Sequence, residues 1–583
     1  MISKQSLLHQ LGYDKFRPLQ EEAIDALYNE QDVLFVSSTG SGKSLVYQLT
    51  GILKDGVAII VSPLLSLMHQ QVETLKAKGL RAEFLNSSLN PGEQDDLVTS
   101  LRHKHIDLLY LAPEKLIQPS VIGLLHSIEI SLFAIDEAHC ITQWGSAFRP
   151  EYSQLGQLRN SFPSVPIIAL TGTADKQTIE EIQSSLKLND CKLIKSKFDR
   201  PNIEIKIAQK RKAKQQLLHF LHYEVAGQSG VVYCRSRKNT ESLSQWLGQL
   251  GFVSHCYHAG MSELDKHQSH QALLTKQGCI LVATTAYGMG VDITHLDFVV
   301  HMDLPNSPEA FLQEVGRAGR NGQKAKSLLL YGLQDMMKAL QLTSSISDSN
   351  DKNQQQLLDL FQVLEGRGCR RKSLMSHFGE DINHCGHCER CLTPKAEQNM
   401  TIAAQKVLSL IYHTKGLQPF SLIIQVLLGK KTKAVTGIKA EKLSLFNKGR
   451  ELSEIQWKSV IRYLLAYGFL KVPPGSVFMV HLTEKARWIL KGEHQVLLSQ
   501  EHFYPYMDEK TINSDTAIWY QLMRWKYANS ELPINEKQLK QVYLHKPSSC
   551  ASMSRLTGLP KESITPFWDS LQKQFCEPAS GQE

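Results

Sequence analysis

No stretch of the 583 residues reaches the ~18 uninterrupted apolar residues that a membrane-spanning helix requires. The opening run, MISKQSLLHQ, has no basic flank leading into an apolar core, so a secretory leader is not expected and the chain reads as cytoplasmic. Cysteine is too dilute for a disulfide scaffold: eleven are spread over the chain, but four crowd into one short stretch, which points to metal instead. Charge of one sign does not dominate either. Lys and Arg exceed Asp and Glu by 65 to 57, a bias toward anionic partners that only its distribution can make specific. With 42% hydrophobic and 21% charged residues, disordered and collagenous classes fall away. The length implies several packed domains, about four.

Short β-branched runs alternate with helix-length stretches through the first part of the chain: DVLFV, VAIIVS, IDLLYLA, LFAID and PIIALTG, then GVVYC, CILVATT and FVVHMD. Buried strands spaced in this way predict parallel sheets flanked by helices, and the pattern occurs twice. A basic join around Lys195 to Lys214 reads as the linker between two α/β lobes.

DVLFV followed by SSTGSGKS places a glycine-containing loop between a buried strand and a helix, where backbone N–H groups and the helix dipole favour phosphate. Thr39, Gly40, Ser41 and Gly42 form the cradle. Lys43 neutralises the β- and γ-phosphates and Ser44 ligates Mg²⁺; Ser37 replaces the first glycine of GxxxxGK(S/T). LFAIDEAH supplies two carboxylates at a strand end, Asp136 to hold Mg²⁺ and Glu137 to orient and deprotonate the attacking water. Charge developing on the γ-phosphate calls for an arginine delivered from across the site. In QEVGRAGRNG, Gln313, Arg317 and Arg320 are at helical spacing; Arg320 is the first candidate for the finger and Arg317 for coupling.

CRRKSLMSHFGEDINHCGHCERC spaces Cys369, Cys385, Cys388 and Cys391 as Cx15Cx2Cx2C, which predicts a structural four-thiolate Zn²⁺ site, with His384 and His387 as competing donors. Gly429 to Arg450 holds seven basic residues against the single acid Glu441, a distribution suited to sequence-independent DNA contact.

Taken in order, LGYDKFRPLQ, SSTGSGKSLVYQL, VSPLLSLMHQQ, YLAPE, DEAHCITQWGSAFRPEY, ALTGTA, FDRPN, VVYCRSR, YHAGM, ATTAYGMGVD and QEVGRAGRNG resemble superfamily 2 helicases and, closely, the RecQ family. The likeness is strong over residues 5–395, fair to about 490 and weak beyond. It implies an α/β fold of two tandem RecA-like parallel-sheet lobes, followed by a zinc-binding module, a winged helix and a small helical C-terminal domain. The expected boundaries are 1–195 and 196–340 for the lobes, 341–398 for the zinc module, 399–491 for the winged helix and 492–583 for an HRDC-like domain. By the same resemblance Gln20 recognises adenine, Tyr13 and Arg17 frame the base, and Asp292, where the family often has Asn, meets the ribose. Trp144, Phe148 and Arg149 belong to an aromatic-rich loop that couples single-strand occupancy to hydrolysis; Ser146 and Ala147 stand where the family has His and Asp, and Gly172 where Ala is usual. The implied activity is ATP-dependent 3′ to 5′ unwinding of forked, overhanging or recombination-intermediate DNA, with ATP, Mg²⁺ and Zn²⁺ as cofactors. Single-stranded and forked DNA and single-strand-binding or other repair proteins are the expected partners. The alternatives are a DNA-stimulated translocase that does not unwind, an RNA-directed helicase, and a non-catalytic DNA-binding scaffold.

Overall fold

The computed structural model describes residues 3–37, 40–63, 65–86, 90–143, 150–288, 296–344, 350–414, 418–475, 478–500, 504–507, 514–529 and 531–575. Seven strands build the first sheet: β1 (Val33–Val36), β2 (Val57–Val61), β3 (Ala82–Leu85), β4 (Leu108–Leu111), β5 (Ile130–Ile135), β6 (Ile167–Thr171) and β7 (Lys192–Lys195). They pair in parallel in the order β3-β4-β2-β5-β6-β1-β7. The central strands β1, β2, β4 and β6 are buried at every residue, which is why their sequences run as near-continuous apolar stretches rather than alternating.

The second sheet comprises β8 (Ile203–Gln209), β9 (Gly230–Tyr233), β10 (Val253–Tyr257), β11 (Cys279–Ala283), β12 (Phe298–His301) and β13 (Ala325–Tyr331), all parallel, in the order β10-β11-β9-β12-β13-β8. Here the structure corrects the expected linker. The basic stretch from Lys195 to Lys214 is not a free join, because β8 lies inside it and pairs with β13 over seven residues. Its Ile residues are buried while Glu204 and Lys206 are half-exposed, the signature of an edge strand with one wet face.

Helix Asn350–Glu365 and helix Arg370–His377 lead into the cysteine cluster. Buried arginines hold this region: Arg370 bonds Glu389 at 2.6 Å, and Arg462 reaches back from helix Glu454–Ala466 to Glu365 at 2.7 Å. Beyond it, β15 (Gln418–Pro419), β16 (Leu470–Lys471) and β17 (Met479–Leu482) form a small antiparallel sheet, after the short β14 (Glu397–Asn399). Pro473 to Gly475, whose PPG sequence predicts a tight hairpin turn, lie between β16 and β17; of the wing expected around Val472 to Val477 in the winged helix, residues 476 and 477 lie outside the described residues. The C-terminal helices, Ser514–Ala528 through Trp568–Gln572, share a core of their own built on Leu522, Trp525, Leu539 and Met553. No helix among the described residues is long and apolar enough to cross a membrane.

Candidate nucleotide site and zinc centre

Parallel strands deliver their carboxyl ends to one edge of a sheet, and loops leaving that edge converge. The loop after β1 and the acidic pair after β5 do so here, and a cleft of about 560 Å³ opens over them, closed on its far side by residues of the second sheet's lobe. Tyr13, Arg17, Gln20, Gly40, Gly42, Lys43, Ser44, Asp136 and Glu137 line it from the first lobe, and Gln313, Arg317 and Arg320 from the second. Ser41 lies in the same loop; Thr39 and Asp292 fall outside the described residues, as do Trp144, Ser146, Ala147, Phe148 and Arg149.

Gly40 and Gly42 sit at φ of 82° and 81°, backbone that residues with a Cβ avoid, and Gly42 caps helix Lys43–Leu53. The Lys43 ammonium donates to the Ser37 carbonyl at 3.0 Å. Burial lowers its pKa, while Glu137 and Asp136 act to raise it, so a buried cation stands where phosphate charge would offset its desolvation. Gln20 is only 2% exposed. Its amide donates to the Ser41 and Gly42 carbonyls at 3.1 and 2.9 Å and accepts from the Arg17 amide at 2.8 Å, while the Arg17 guanidinium donates to the Gly40 carbonyl. Both side chains are therefore committed to shaping the phosphate loop.

Asp136 is buried beside Glu137; burial, then the neighbouring carboxylate, pushes its pKa up to about 7, against the opposing pull of Lys43. A divalent cation at Asp136 and Ser44 would relieve that repulsion, and the oxygen donors suit Mg²⁺. Glu137 has φ of 49°, an uncommon backbone for a side chain with a Cβ and one that concentrates at functional sites. His139 was given no separate role by the sequence reading, although it is the last letter of DEAH. Its Nδ1 lies 3.1 Å from Thr171 Oγ1 and 3.3 Å from a Glu137 oxygen. Because the Thr171 hydroxyl donates to the Thr173 carbonyl, its oxygen accepts from His139 Nδ1–H. Burial lowers the His139 pKa and favours the neutral ring. His139 thereby connects the acidic motif to ALTGTA through Thr171. Gln71 is a second residue without an assigned role: it accepts from Tyr47 Oη at 3.0 Å and stands 3.4 Å from Ser44 Oγ.

Across the cleft, helix Pro308–Val315 ends before the arginines, so the helical spacing expected for Gln313, Arg317 and Arg320 is not realised as one helix. Gly316 closes it and the GRAGRNG segment continues as turns, with the Gly319 amide tied to the Leu296 carbonyl. The three residues still reach the cleft. A methyl group placed on Gly40 would come within 3.2 Å of Arg320 Cγ and Cδ, so the second lobe's arginine lies directly against the first lobe's phosphate loop. Its charge is felt at Lys43. Arg317 is 3% exposed and approaches Gly288 on its own lobe.

The sulfurs of Cys369, Cys385, Cys388 and Cys391 all lie within 4.8 Å of one another. Two of the pairs, Cys369–Cys388 and Cys385–Cys391, are 3.9 Å apart. Thiolates ~2.3 Å from a tetrahedral Zn²⁺ stand roughly 3.8 Å from each other, so the cluster fits the ion with almost no movement. The amides of Cys385 and Lys372 point at Cys369 Sγ, and the Cys388 amide at Cys385 Sγ. His387 does not compete, since Arg371 donates to its Nε2 at 3.0 Å and its Nδ1 faces the Cys385 carbonyl at 2.7 Å.

All seven basic residues between Gly429 and Arg450 are exposed, while Val435 and Ala440 anchor the segment in the core. This is the arrangement expected of a surface that meets phosphates.

Four family profiles match the chain in succession: DEAD/DEAH box helicase over residues 17–182, helicase conserved C-terminal domain over 210–322, RecQ zinc-binding over 333–392 and RQC domain over 394–505. The chain is 36% identical over 574 residues to an ATP-dependent DNA helicase RecQ of Haemophilus influenzae, covering 95% of this chain and 93% of that protein. It is 35% identical over 569 residues to the protein of that name in Pasteurella multocida, with 94% and 89% covered. To the Bacillus subtilis protein of the same name it is 32% identical over 499 residues, with 84% of each covered.

Proposed function

The chain belongs to the RecQ family of ATP-dependent DNA helicases, and on that premise we propose that it unwinds forked, overhanging or recombination-intermediate DNA, moving 3′ to 5′, with hydrolysis stimulated by the bound strand. It is an enzyme that uses ATP with Mg²⁺ and carries Zn²⁺. The observation that carries the reading is the approach of Arg320 to Gly40, because one nucleotide then touches both lobes and its cleavage changes how they are held.

In this reading Lys43 and the loop amides hold the β- and γ-phosphates, Ser44 and Asp136 hold Mg²⁺, and Glu137 takes a proton from the attacking water. Bound Mg²⁺ offsets charge on the phosphate oxygens. Arg320 meets the charge that develops on the transferred phosphoryl group, and Gln313 and Arg317 relay closure to the second lobe. His139, bonded to Thr171, ties the acidic motif to the segment that follows β6. Gln20, with Tyr13 and Arg17, recognises the base by exchanging its loop hydrogen bonds for the adenine edge, and Asp292 meets the ribose. Trp144, Phe148 and Arg149 couple strand occupancy to the acidic pair they follow in sequence. The exposed lysines of the 429–450 segment grip the duplex. Cys369, Cys385, Cys388 and Cys391 bind zinc for structure, since three ligands within seven residues leave too little apolar sequence for a core.

The test compares ATP hydrolysis with and without single-stranded DNA for the unaltered protein, Glu137→Gln and Trp144→Ala, alongside strand displacement from a labelled fork. Glu137→Gln should bind ATP without turnover, and Trp144→Ala should lose the stimulation by DNA. Hydrolysis that is equally fast without DNA would sink the coupling, and hydrolysis without strand displacement would make the protein a translocase.

A further inference from the structure

Asp175, Glu309 and His377 are far apart in sequence and belong to three different parts of the fold. Asp175 caps helix Lys176–Ser185 just beyond ALTGTA, Glu309 lies in the first turn of helix Pro308–Val315, and His377 ends helix Arg370–His377. Each offers one donor atom, and the three atoms lie within 4.8 Å of one another. His377 Nε2 stands 2.6 Å from one oxygen of Glu309. The other Glu309 oxygen, on a side chain only 4% exposed, has no hydrogen-bond partner among the described residues. A buried carboxylate oxygen without a donor is costly, and a cation in the junction removes that cost.

We propose that this junction is a second metal site, taking a divalent transition-metal ion such as Mn²⁺ or Zn²⁺ through His377 Nε2 and the carboxylates of Glu309 and Asp175. One imidazole with two carboxylates is a borderline donor set, which favours transition metals over Mg²⁺ and Ca²⁺, ions that take oxygen alone. Donors ~2.1 Å from a shared ion stand roughly 3.0–3.4 Å apart, so Glu309 and His377 open slightly as the metal displaces the proton between them, and the wider pairs draw in. Asp175 spends one oxygen on the Thr178 amide at 2.7 Å and presents the carboxylate from a fixed cap. Asp359, from helix Asn350–Glu365, also faces the cluster and adds negative charge. His139 of the acidic motif feels the charge of Glu309, and none of Asp175, Glu309 and His377 lines the nucleotide cleft. An ion held here ties the segment after β6, the helix that leads into the arginine turn and the zinc module to one point.

The rival occupant is a proton. Burial acts to pull the His377 pKa down, but the hydrogen bond to Glu309 and the charges of Glu309, Asp359 and Asp175 outweigh it and raise it. The experiment titrates the full-length, zinc-loaded protein with Mn²⁺ in millimolar Mg²⁺ without nucleotide, reading free Mn²⁺ by electron paramagnetic resonance. The unaltered chain should bind one Mn²⁺ more than Glu309→Gln or His377→Gln, while cysteine-bound zinc stays at about one per chain in all three. If Glu309→Gln does not fold, His377→Gln and Asp175→Asn carry the comparison, because Asn retains the helix cap. Equal Mn²⁺ stoichiometry in the unaltered protein and in folded, zinc-loaded variants overturns the proposal and leaves a proton-bridged contact.

Discussion

Replacing Arg320 by alanine tests the two-lobe site most directly. The residue reaches across the cleft with its aliphatic stem packed on Gly40 and its charge felt at Lys43, which is the approach that the proposed role at the γ-phosphate requires. An arginine delivered in this way is worth roughly 10³–10⁵ in turnover. At about 1.36 kcal/mol per decade, that is about 4–7 kcal/mol of transition-state stabilisation. Arg320→Ala should therefore lower kcat by at least a thousandfold at saturating ATP and single-stranded DNA, while the Kd for a fluorescent ADP changes less than about tenfold. Arg320→Lys should recover only part of the loss, because an ammonium keeps the charge and gives up the planar fork of donors. A kcat within tenfold of the unaltered enzyme, or a loss that appears wholly in nucleotide binding, would refute the assignment of the finger.

Three further outcomes follow from the same geometry. The Asp136 carboxyl, raised from its ordinary 3.8 to about 7, holds its proton more tightly in the folded, metal-free protein than in the unfolded chain. That contribution to stability is complete below 3.8 and is lost as pH rises through about 7. Stabilisation by Mg²⁺–ATP, which needs the carboxylate, should grow over the same rise; a thermal shift independent of pH from ~6 to ~8 would contradict this. Arg462→Ala leaves Glu365, 7% exposed, without its 2.7 Å partner and should cost about 3–5 kcal/mol in urea unfolding, whereas a change under about 1 kcal/mol would show the pair to be dispensable. Removing the exposed pair Lys431 and Lys433 together should reduce the slope of log K against log salt for duplex binding by roughly 1–2; an unchanged slope would place the phosphate contacts elsewhere.

Sites made by local backbone were the legible ones. The phosphate loop, the acidic pair and the cysteine knuckles are each fixed within a few residues, so spacing alone exposes them. Two kinds of feature escaped. β8 was hidden because its half-exposed Glu204 and Lys206 read as part of a basic join, and β10 because all five of its residues are half-exposed on an edge strand that lacks a strong apolar run. Non-local contacts were the second kind. Nothing near Glu309 in sequence announces His377, and the bonds that Gln20 makes to Ser41 and Gly42 depend on a strand intervening between them. The helix expected to carry Arg317 and Arg320 failed for a local reason, the three glycines of GRAGRNG, which release the chain into turns once Val315 is passed.

The position of the zinc module follows from the shortness of the real join. Only residues 196–202 separate β7 from β8, and the module holds that segment at both ends. Lys195 Nζ donates to the Phe378 carbonyl at 2.8 Å, the Phe198 amide donates to Glu380 at 2.6 Å, and Arg371 pairs with Asp199 and reaches the Ile203 carbonyl at 3.0 Å. Arg371 also bonds His387, between two of the thiolates. A movement of one lobe against the other has to work through these bonds, so the four-cysteine site braces the fulcrum as well as its own small fold. That gives a physical reason for a metal there: a hinge anchor with no apolar core of its own needs stiffness from coordination.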